Sequence, residues 1–455
     1  MKTALNGSAS SPSRAIFYSL TDKDNVMKNL STTLFGLFIC ILLSACASSF
    51  HPTTQASKES VIKTTTNDSA VVDSLVIDST LVNSRHINKN ANKQACNTGN
   101  VRLTANFSTA RMDECQQVSK NEYLITLIPE NTPINSSPWY AFKVQAQKPT
   151  DITIVMKVRG DTHRYPPKVS INGGAWQLQK YRIKGDRLII KLTASKQPLI
   201  IAAQEIINNQ YYVDWANKLK KSTQIEHSVL GQSTQGRPIY KIESRNEKNK
   251  EWIVILGRQH PPEITGALAL FPFVETLLAS SELGQSYRDK YNVLVIPNIN
   301  PDGVHAGNWR HNANGLDLNR DWIKFSQVET QQIDSYLQAL TSQGDKIKFA
   351  IDFHSTKDDV FYTMPVDYGV EDAYLVRHWL GALDRQMPNF KVKLKPGNNP
   401  NLGVSKQYFS DKFGVHAITY EMGDNTDRSE IKRVAFKSAN LLMITMLSDV
   451  DHNIE

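Results

Sequence analysis

Hydrophobic and polar positions follow a short-strand pattern between residues 96 and 212. Brief β-rich runs are separated by turn residues, and no helical period is present. Regular short strands of this kind favour an all-β sandwich domain over 96–212. The predicted strands lie at 139–144, 151–158, 187–192 and 198–203.

The pattern changes after residue 212. A connecting helix is predicted over 212–221, and apolar strands then alternate with helical stretches. This alternation predicts an α/β domain with a mixed, largely buried sheet over 213–455. The predicted strands lie at 252–256, 293–297, 347–353 and 415–420, and the predicted helices at 264–279, 326–340, 371–385 and 429–447.

Residues 1–46 carry the pattern of an export signal. A positive start at Met27 precedes a short apolar run over 34–43 and the small-residue sequence Leu43-Ser44-Ala45-Cys46. The apolar run is short for a bilayer span. The pattern resembles a bacterial lipoprotein signal, in which Cys46 becomes the lipidated N-terminus; an ordinary signal peptide with an incidental Cys is the alternative. Met27 opens such a signal by itself, so translation from either Met1 or Met27 fits the sequence.

This signal predicts a location in the bacterial cell envelope. Ala47 follows the Cys and does not resemble an inner-membrane retention signal, which favours a lipid anchor in the outer membrane, facing the periplasm. Residues 47–95 are rich in Ser, Thr, Asn and Asp and read as a flexible tether. Cys96 and Cys115 lie in a compartment that permits disulfides. A bridge between them, worth roughly 3 kcal/mol in the chain-entropy model, is preferred to two free thiols.

Composition and charge do not indicate a nucleic-acid partner. Hydrophobic residues make up 40% of the 455 residues and charged residues 21%, which is an ordinary globular mixture. The formal net charge is +8, yet no block of Lys and Arg stands out. A solvated basic surface is preferred to a specific anionic partner as the explanation of this charge, and no nucleic-acid partner is predicted.

Three predicted strands deliver His and Glu side chains to one edge of the sheet. The first runs into His260 and Glu263, the second into His354 and the third into Glu421. Ligands bind at the carboxyl ends of strands in open α/β sheets. Two His and one Glu on zinc leave a fourth position for water, the catalytic arrangement. A loop-capping His and a Glu that favours a helix N-terminus are the structural alternative.

Glu421 is the candidate general base. A carboxylate that faces a metal-bound water accepts its proton and later passes it to the leaving amine. A surface Glu at a strand end is the alternative, since a turn follows it.

The segment 298–322 is a long polar loop rich in Gly and Asn, and such loops are usually functional. It contains Arg310 and Arg320. One Arg suits bidentate binding of a substrate carboxylate and the other suits stabilisation of an oxyanion. A loop held together by Asp–Arg pairs is the alternative.

These segments resemble the zinc carboxypeptidase family, the M14-type or funnelin metallopeptidases. They are especially similar to the branch that holds cytosolic carboxypeptidases and their bacterial relatives, which carries a β-sandwich before the catalytic domain. The resemblance covers about 200 residues. It rests on 230–239, 257–266, 300–322, Asp352-Phe353-His354-Ser355 and Thr419-Tyr420-Glu421, with 133–142 and 163–167 in the sandwich.

The resemblance implies a role for each matching position. His260, Glu263 and His354 would bind one zinc ion, and Glu421 would be the general base and acid. Arg310 would polarise the scissile carbonyl, whereas Asn319 and Arg320 would bind the terminal carboxylate of a peptide.

The segment before the catalytic Glu aligns less clearly with the family pattern. The family often carries a substrate-binding Tyr there, and Tyr408 is the candidate. Lys406 lies in the same stretch and is expected to face the side-chain pocket, which would favour an acidic C-terminal residue.

The predicted activity is therefore that of an exported zinc metallocarboxypeptidase acting on a peptide. One alternative keeps the site and changes the substrate to peptidoglycan stem peptides with D- or γ-linked residues. Another is a non-catalytic family member that binds peptide or cell wall. The intact set of ligands together with Glu421 argues against the latter.

Overall fold

The computed structural model of the chain describes residues 95–454. The predicted signal region, the predicted lipidation site Cys46 and the predicted tether up to residue 94 lie outside the described residues.

The N-terminal domain is built from two sheets, which confirms the predicted all-β region. A six-stranded sheet has the order β1-β2-β5-β11-β7-β8, and a five-stranded sheet has the order β3-β4-β6-β10-β9. The strands in chain order are β1 (Ala95–Thr98), β2 (Val101–Thr104), β3 (Glu114–Ser119), β4 (Glu122–Leu127), β5 (Ala141–Ala146), β6 (Thr150–Val158), β7 (Lys168–Ile171), β8 (Trp176–Leu178), β9 (Tyr181–Lys184), β10 (Arg187–Ala194) and β11 (Leu199–Ala202).

Side chains from both sheets form one buried core. Phe142 and Val144 of β5 and Ile154 and Met156 of β6 are fully buried in it. Their i, i+2 spacing places each pair on the inner face of its strand. A disulfide between Cys96 and Cys115 joins β1 of one sheet to β3 of the other.

The C-terminal domain contains an eight-stranded mixed sheet, in agreement with the predicted α/β class. Its strand order is β12-β13-β15-β14-β16-β19-β17-β18, and β15, β14, β16 and β19 are parallel to one another. The strands are β12 (Glu226–Gln232), β13 (Pro238–Ser244), β14 (Glu251–Gly257), β15 (Tyr291–Ile296), β16 (Lys346–Thr356), β17 (Val360–Thr363), β18 (Leu394–Pro396) and β19 (Ala417–Gly423).

Helices cover both faces of this sheet. The apolar runs of β14 and β15 are buried on both sides, as parallel central strands usually are. Ile253 and Ile255 share a core with α2 and α8, whereas Trp252 and Val254 share a second core with α5 and α7. The helices are α1 (Asn209–Ser222), α2 (Ile264–Leu277), α3 (Glu282–Lys290), α4 (Pro301–Ala306), α5 (Val328–Ser342), α6 (Leu375–Gln386), α7 (Ser405–Phe413) and α8 (Arg428–Leu447).

The two domains meet next to the carboxyl ends of β16 and β19. Arg164, from the loop after β6, donates to the carboxylate of Asp424 at 2.7 and 3.1 Å and to the carbonyl of Ser355 at 3.2 Å. The same guanidinium donates to Ser136 and Ser137 in its own domain. One largely buried cation therefore connects the sandwich to the edge of the sheet where the predicted site lies.

Within residues 95–454, no single helix has both the length and the apolar character needed to cross a membrane. The pair α2 and α3 meets the criterion only jointly, and it bends by 88° between the two helices.

Candidate metal and catalytic site

The structure brings His260, Glu263 and His354 together in a buried cluster. Nδ1 of His260 lies 2.8 Å from Oε1 of Glu263, and Nδ1 of His354 lies 2.7 Å from Oε2 of the same carboxylate. The two Nδ1 atoms are 3.2 Å apart. One ligand atom from each of the three residues lies within 4.8 Å of the other two.

Local packing explains why these three side chains meet. His260 lies in the turn between β14 and α2, and Glu263 immediately precedes α2 but makes no capping hydrogen bond, because its carboxylate faces the imidazoles. Gly266 in the first turn of α2 lies against β16. A Cβ at this position would lie 2.4 Å from the carbonyl oxygen of His354. The absence of a side chain thus lets the start of α2 reach the strand that carries the third residue.

Two further carboxylates, which the sequence reasoning missed, orient the imidazoles. Nε2 of His260 lies 2.9 Å from Oδ1 of Asp317, and Nε2 of His354 lies 2.7 Å from Oδ2 of Asp352. An N–H donated from Nε2 leaves the lone pair of Nδ1 directed into the cluster. Carboxylates commonly fix metal-binding His residues in this way.

Burial and neighbouring charges shift the pKa values of the cluster. Burial raises the pKa of Glu263, but the charges of His260 and His354 outweigh it, and the pKa lies well below its usual value. Conversely, burial lowers the pKa of His354, but Asp352 and Glu263 outweigh it and raise that pKa well above the usual value. Two imidazole nitrogens and a carboxylate form the donor set of several catalytic zinc sites. The residues present therefore fit zinc.

Glu421 lies beside this cluster. Its strand β19 pairs with β16 in parallel, and the register places Glu421 directly opposite His354. Its Oε2 atom is buried and has no hydrogen-bond partner within the described part of the chain. Burial, followed by the charge of Glu263, raises the pKa of Glu421 to about 8. A carboxyl group with a free oxygen and a pKa near neutrality has the properties required of a proton-transfer group.

Arg310, Asn319 and Arg320 line the same cavity. Nε of Arg310 donates to Oδ2 of Asp317 at 2.7 Å, so Arg310 and His260 bind the two oxygens of one carboxylate. The Asn319 amide accepts from the backbone N–H of Ser405 at 2.9 Å and its Nδ2 lies 3.5 Å from Nε2 of His354. Arg320 is exposed and donates to the Asn319 carbonyl at 2.6 Å.

The prediction that Tyr408 binds substrate is wrong. The segment is the helix α7, and the Tyr408 ring packs against Trp322 and Phe325 in the core below the sheet. Its hydroxyl lies 2.6 Å from Oδ1 of Asp334, away from the cavity-lining residues. Residues two apart in a helix point about 200° apart, and Tyr408 therefore faces the core while Lys406 faces the cavity.

Lys406 lines the cavity, as expected. Its Nζ donates to the carbonyl of Thr363 at 3.1 Å, to Sδ of Met364 at 3.1 Å and to the carbonyl of Gly397 at 2.5 Å. None of these three acceptors carries a negative charge. Burial lowers the pKa of Lys406 to about 8.

The cavity has a volume of about 930 Å³ and joins all of these groups. The N-terminal domain contributes Asn135, Ser136 and Arg164 to its wall, opposite the sheet edge. The volume is sufficient for a short peptide end, since ligand pockets typically measure about 300–1,000 Å³. The site-lining residues from the α/β domain are His260, Glu263, Arg310, Asn319, Arg320, His354, Lys406 and Glu421.

The chain is similar to a known protein family and to several known proteins. Residues 212–438 match the zinc carboxypeptidase family, M14. An uncharacterized protein of Zymomonas mobilis is 21% identical over 352 residues, which cover 73% of this chain and 91% of that protein. Human cytosolic carboxypeptidase 2 is 31% identical over 224 residues, which cover 47% of this chain but only 22% of the human protein.

Solved structures of other proteins share this fold. A metallo-carboxypeptidase from Burkholderia cenocepacia shares the fold with a TM-score of 0.67 at 16% identity, over 76% of this chain and 99% of that structure. A metallo-carboxypeptidase from Pseudomonas aeruginosa gives a TM-score of 0.62 at 18% identity. The fold and the His-Glu-His cluster define a metallocarboxypeptidase. The chain belongs to the M14 zinc carboxypeptidase family and has homologues among the cytosolic carboxypeptidases.

Proposed function

We propose that this protein is a zinc-dependent carboxypeptidase that hydrolyses the last peptide bond of a peptide. The observation that carries the proposal is the position of Glu421 beside the cluster of His260, Glu263 and His354 in one cavity. Oε2 of Glu421 has no hydrogen-bond partner among residues 95–454. A site that only binds peptide does not require a buried carboxyl group with a raised pKa next to a metal-binding cluster.

Each group has a distinct task. His260, Glu263 and His354 would hold a zinc ion, which would acidify a water molecule and polarise a carbonyl. Glu421 would accept a proton from water and later donate it to the leaving amine. Arg310, fixed by Asp317, stabilises the charge that develops on the scissile carbonyl oxygen.

Other residues that line the cavity suit the end of a peptide. Arg320 and Asn319 bind the terminal carboxylate, for which a guanidinium provides bidentate donors. Lys406 donates to uncharged acceptors, and a substrate carboxylate would supply a countercharge in contact with it. We therefore propose a preference for an acidic C-terminal residue.

Mass spectrometry of a mixed peptide library tests the activity directly. The purified protein is incubated with the library with and without a chelator, and Glu421→Gln is treated in parallel. Loss of single C-terminal residues that requires both metal and Glu421 supports the proposal. Glu430→Gln is a matched control, because Glu430 lies in the first turn of α8 and pairs with Arg433 outside the cavity.

A negative result would have a specific consequence. If the zinc-loaded, folded protein cleaves no all-L peptide, the simple carboxypeptidase function is wrong. The same assay on purified muropeptides then tests the stem peptides of peptidoglycan as substrates. Binding of either class without cleavage would instead indicate a non-catalytic family member.

We also propose that Cys46 is lipidated and anchors the protein in the outer membrane, with the enzyme facing the periplasm. The sequence 43–46 and the polar tether that follows support this location. Membrane fractionation of cells that express the wild type or Cys46→Ala tests it. Release of the variant into the soluble fraction is expected, and equal fractionation of the two proteins would contradict the anchor.

A further inference from the structure

The loop that carries Arg310 is held by a carboxylate of the other domain. Oε2 of Glu130 accepts from the backbone N–H of Trp309 at 2.8 Å, and Oε1 accepts from those of Arg310 at 2.9 Å and His311 at 2.8 Å. Three successive backbone N–H groups thus converge on one side chain that lies about 180 residues earlier in the chain. Such a concave arrangement of N–H groups is suited to an anion.

The surrounding residues make this contact rigid. The Glu130 side chain is 8% exposed, and Arg111, whose guanidinium lies 4.0 Å from it, supplies a nearby positive charge. Burial raises the pKa of Glu130, but the hydrogen bond from His311 and the charge of Arg111 outweigh it and lower the pKa to about 2. Glu130 is therefore ionised throughout the range in which peptidases are assayed.

Further contacts hold both ends of the loop. At its start, a Cβ on Gly307 would lie 2.7 Å from the carbonyl oxygen of Thr109, so only a glycine fits this approach. Towards its end, Asn131 contacts Nδ1 of His311 at 2.8 Å and donates to the carbonyl of Gly315 at 2.9 Å. The sandwich domain therefore fixes the loop at its start, its middle and its end.

The position of the Arg310 guanidinium depends on this backbone. The side chain is 9% exposed and is held at its other end by Asp317, which also binds His260. A backbone shift at Arg310 would move the guanidinium relative to the metal-binding cluster. A displacement of about 1 Å at a reacting group can cost about 100-fold in rate.

We propose that Glu130 is a positioning residue for catalysis, which acts through Arg310 by fixing the backbone of residues 309–311. The sandwich domain is then part of the catalytic apparatus, beyond forming one wall of the cavity. This inference rests on the proposed carboxypeptidase function, in which Arg310 stabilises the scissile carbonyl.

Glu130→Gln is the sharpest variant, because it preserves shape but replaces one acceptor oxygen by an amide that faces a backbone N–H. We expect kcat to fall about 10- to 100-fold with KM changed less than about twofold, since the carboxylate-binding residues are not touched. Glu114→Gln is the matched control, since Glu114 lies in the same domain in an exposed pair with Arg159. Its kinetics should equal those of the wild type.

A double-mutant cycle separates positioning from general damage. If Glu130 acts through Arg310, the double variant Glu130→Gln/Arg310→Ala should be no slower than Arg310→Ala alone, within about twofold. Independent, additive losses would overturn the proposal, as would an unchanged kcat in Glu130→Gln.

Should Glu130→Gln fail to fold, Asn131→Ala replaces it in the cycle. The same non-additive loss, smaller in size, is then expected, and additive losses or an unchanged kcat in Asn131→Ala would overturn the proposal in the same way.

Amide hydrogen exchange provides a readout that does not depend on activity. The amides of residues 309–311 should be protected in the wild type and exchange faster in Glu130→Gln, whereas Glu114→Gln leaves them protected. Equal protection in all three proteins would overturn the proposal even if activity changed. If the wild type cleaves no peptide, the proposed function is wrong, and a crystal structure of Glu130→Gln then tests the positioning role by itself. Displacement of Arg310 from Asp317 in that structure would support the positioning role of Glu130. An unmoved Arg310 would refute it.

Discussion

Nε2 of His354 lies 2.7 Å from the carboxylate of Asp352, two residues earlier on the same strand. Successive side chains of a strand alternate between its faces, so residues two apart share one face. A single strand thus supplies both a metal-binding imidazole and the acceptor that orients it. Asp352 is itself fixed, because Gln259 and Ser405 donate to the same Oδ2 at 2.5 Å.

We predict that Asp352→Asn weakens zinc binding about 10- to 100-fold. The amide is a poorer acceptor for the imidazole N–H, so the tautomer and the ring orientation of His354 are less well defined. Competition for zinc with a calibrated chelator measures the change. Asp345→Asn is the control, because Asp345 is also buried and bonded to a ring N–H, that of Trp252, but lies outside the cavity. Equal zinc affinities in the two variants would contradict this role of Asp352.

The sequence predicted the sheet edge well because strand ends are local features. The apolar runs of β14, β16 and β19 were visible as such, and parallel pairing brings their ends together. The strands β16 and β19 extend three residues past the predicted ends, so His354 and Glu421 lie within strands instead of just after them. Side chains still alternate between the two faces of these strands, and those of His354 and Glu421 point towards the cavity.

The features of the site that the sequence did not predict depend on long-range contacts or on short helices. Asp352 was detectable by its i, i+2 spacing from His354, whereas no local pattern connects Glu130 to a loop about 180 residues away. The nine-residue helix α7 was not among the predicted helices, and this omission produced the wrong role for Tyr408. A helical reading would have shown that Lys406 and Tyr408 cannot face the same cavity.

We predict that one zinc ion binds per chain and stabilises the fold. Zinc at 100 times its Kd should raise the free energy of unfolding by about 2.7 kcal/mol, and a chelator should reverse the effect. His354→Ala should abolish it. His378→Ala is the control, since His378 forms another close pair with His452, with their Nδ1 atoms 3.0 Å apart, but lies outside the cavity. Zinc stabilisation of the His354→Ala variant would refute the assignment of the cluster.

We predict that Arg310→Ala lowers kcat about 100- to 1,000-fold, as the loss of one oxyanion donor does. Because Arg310 stabilises charge that develops only in the transition state, KM should change little. Arg320→Ala should show the reverse pattern, with a raised KM, since the terminal carboxylate is already charged in the ground state. Steady-state kinetics on one peptide distinguish the two. A raised KM with unchanged kcat in Arg310→Ala would exchange the roles of the two Arg residues.

The preference for acidic C-terminal residues should depend on pH through Lys406. Its pKa is lowered by burial to about 8, so the free enzyme loses this charge as the pH rises through about 8. We predict that the kcat/KM ratio of a peptide ending in Glu to one ending in Gln is high below pH 7 and falls above pH 8, because kcat/KM reports the free enzyme.

Lys406→Met should lower the ratio at pH 7 about 10- to 100-fold, the worth of a charge-assisted hydrogen bond, and should remove its pH dependence. Lys412→Met is the control on the same helix, since Lys412 pairs with Asp334 outside the cavity. The same substitution should also change how the stability of the protein depends on pH. Unfolded Lys406 binds more protons than the folded residue between pH 8 and 10.5, so wild-type stability should rise with pH in that window relative to Lys406→Met. A Glu-to-Gln ratio that is constant from pH 6 to 9 in the wild type would show that Lys406 does not select the substrate.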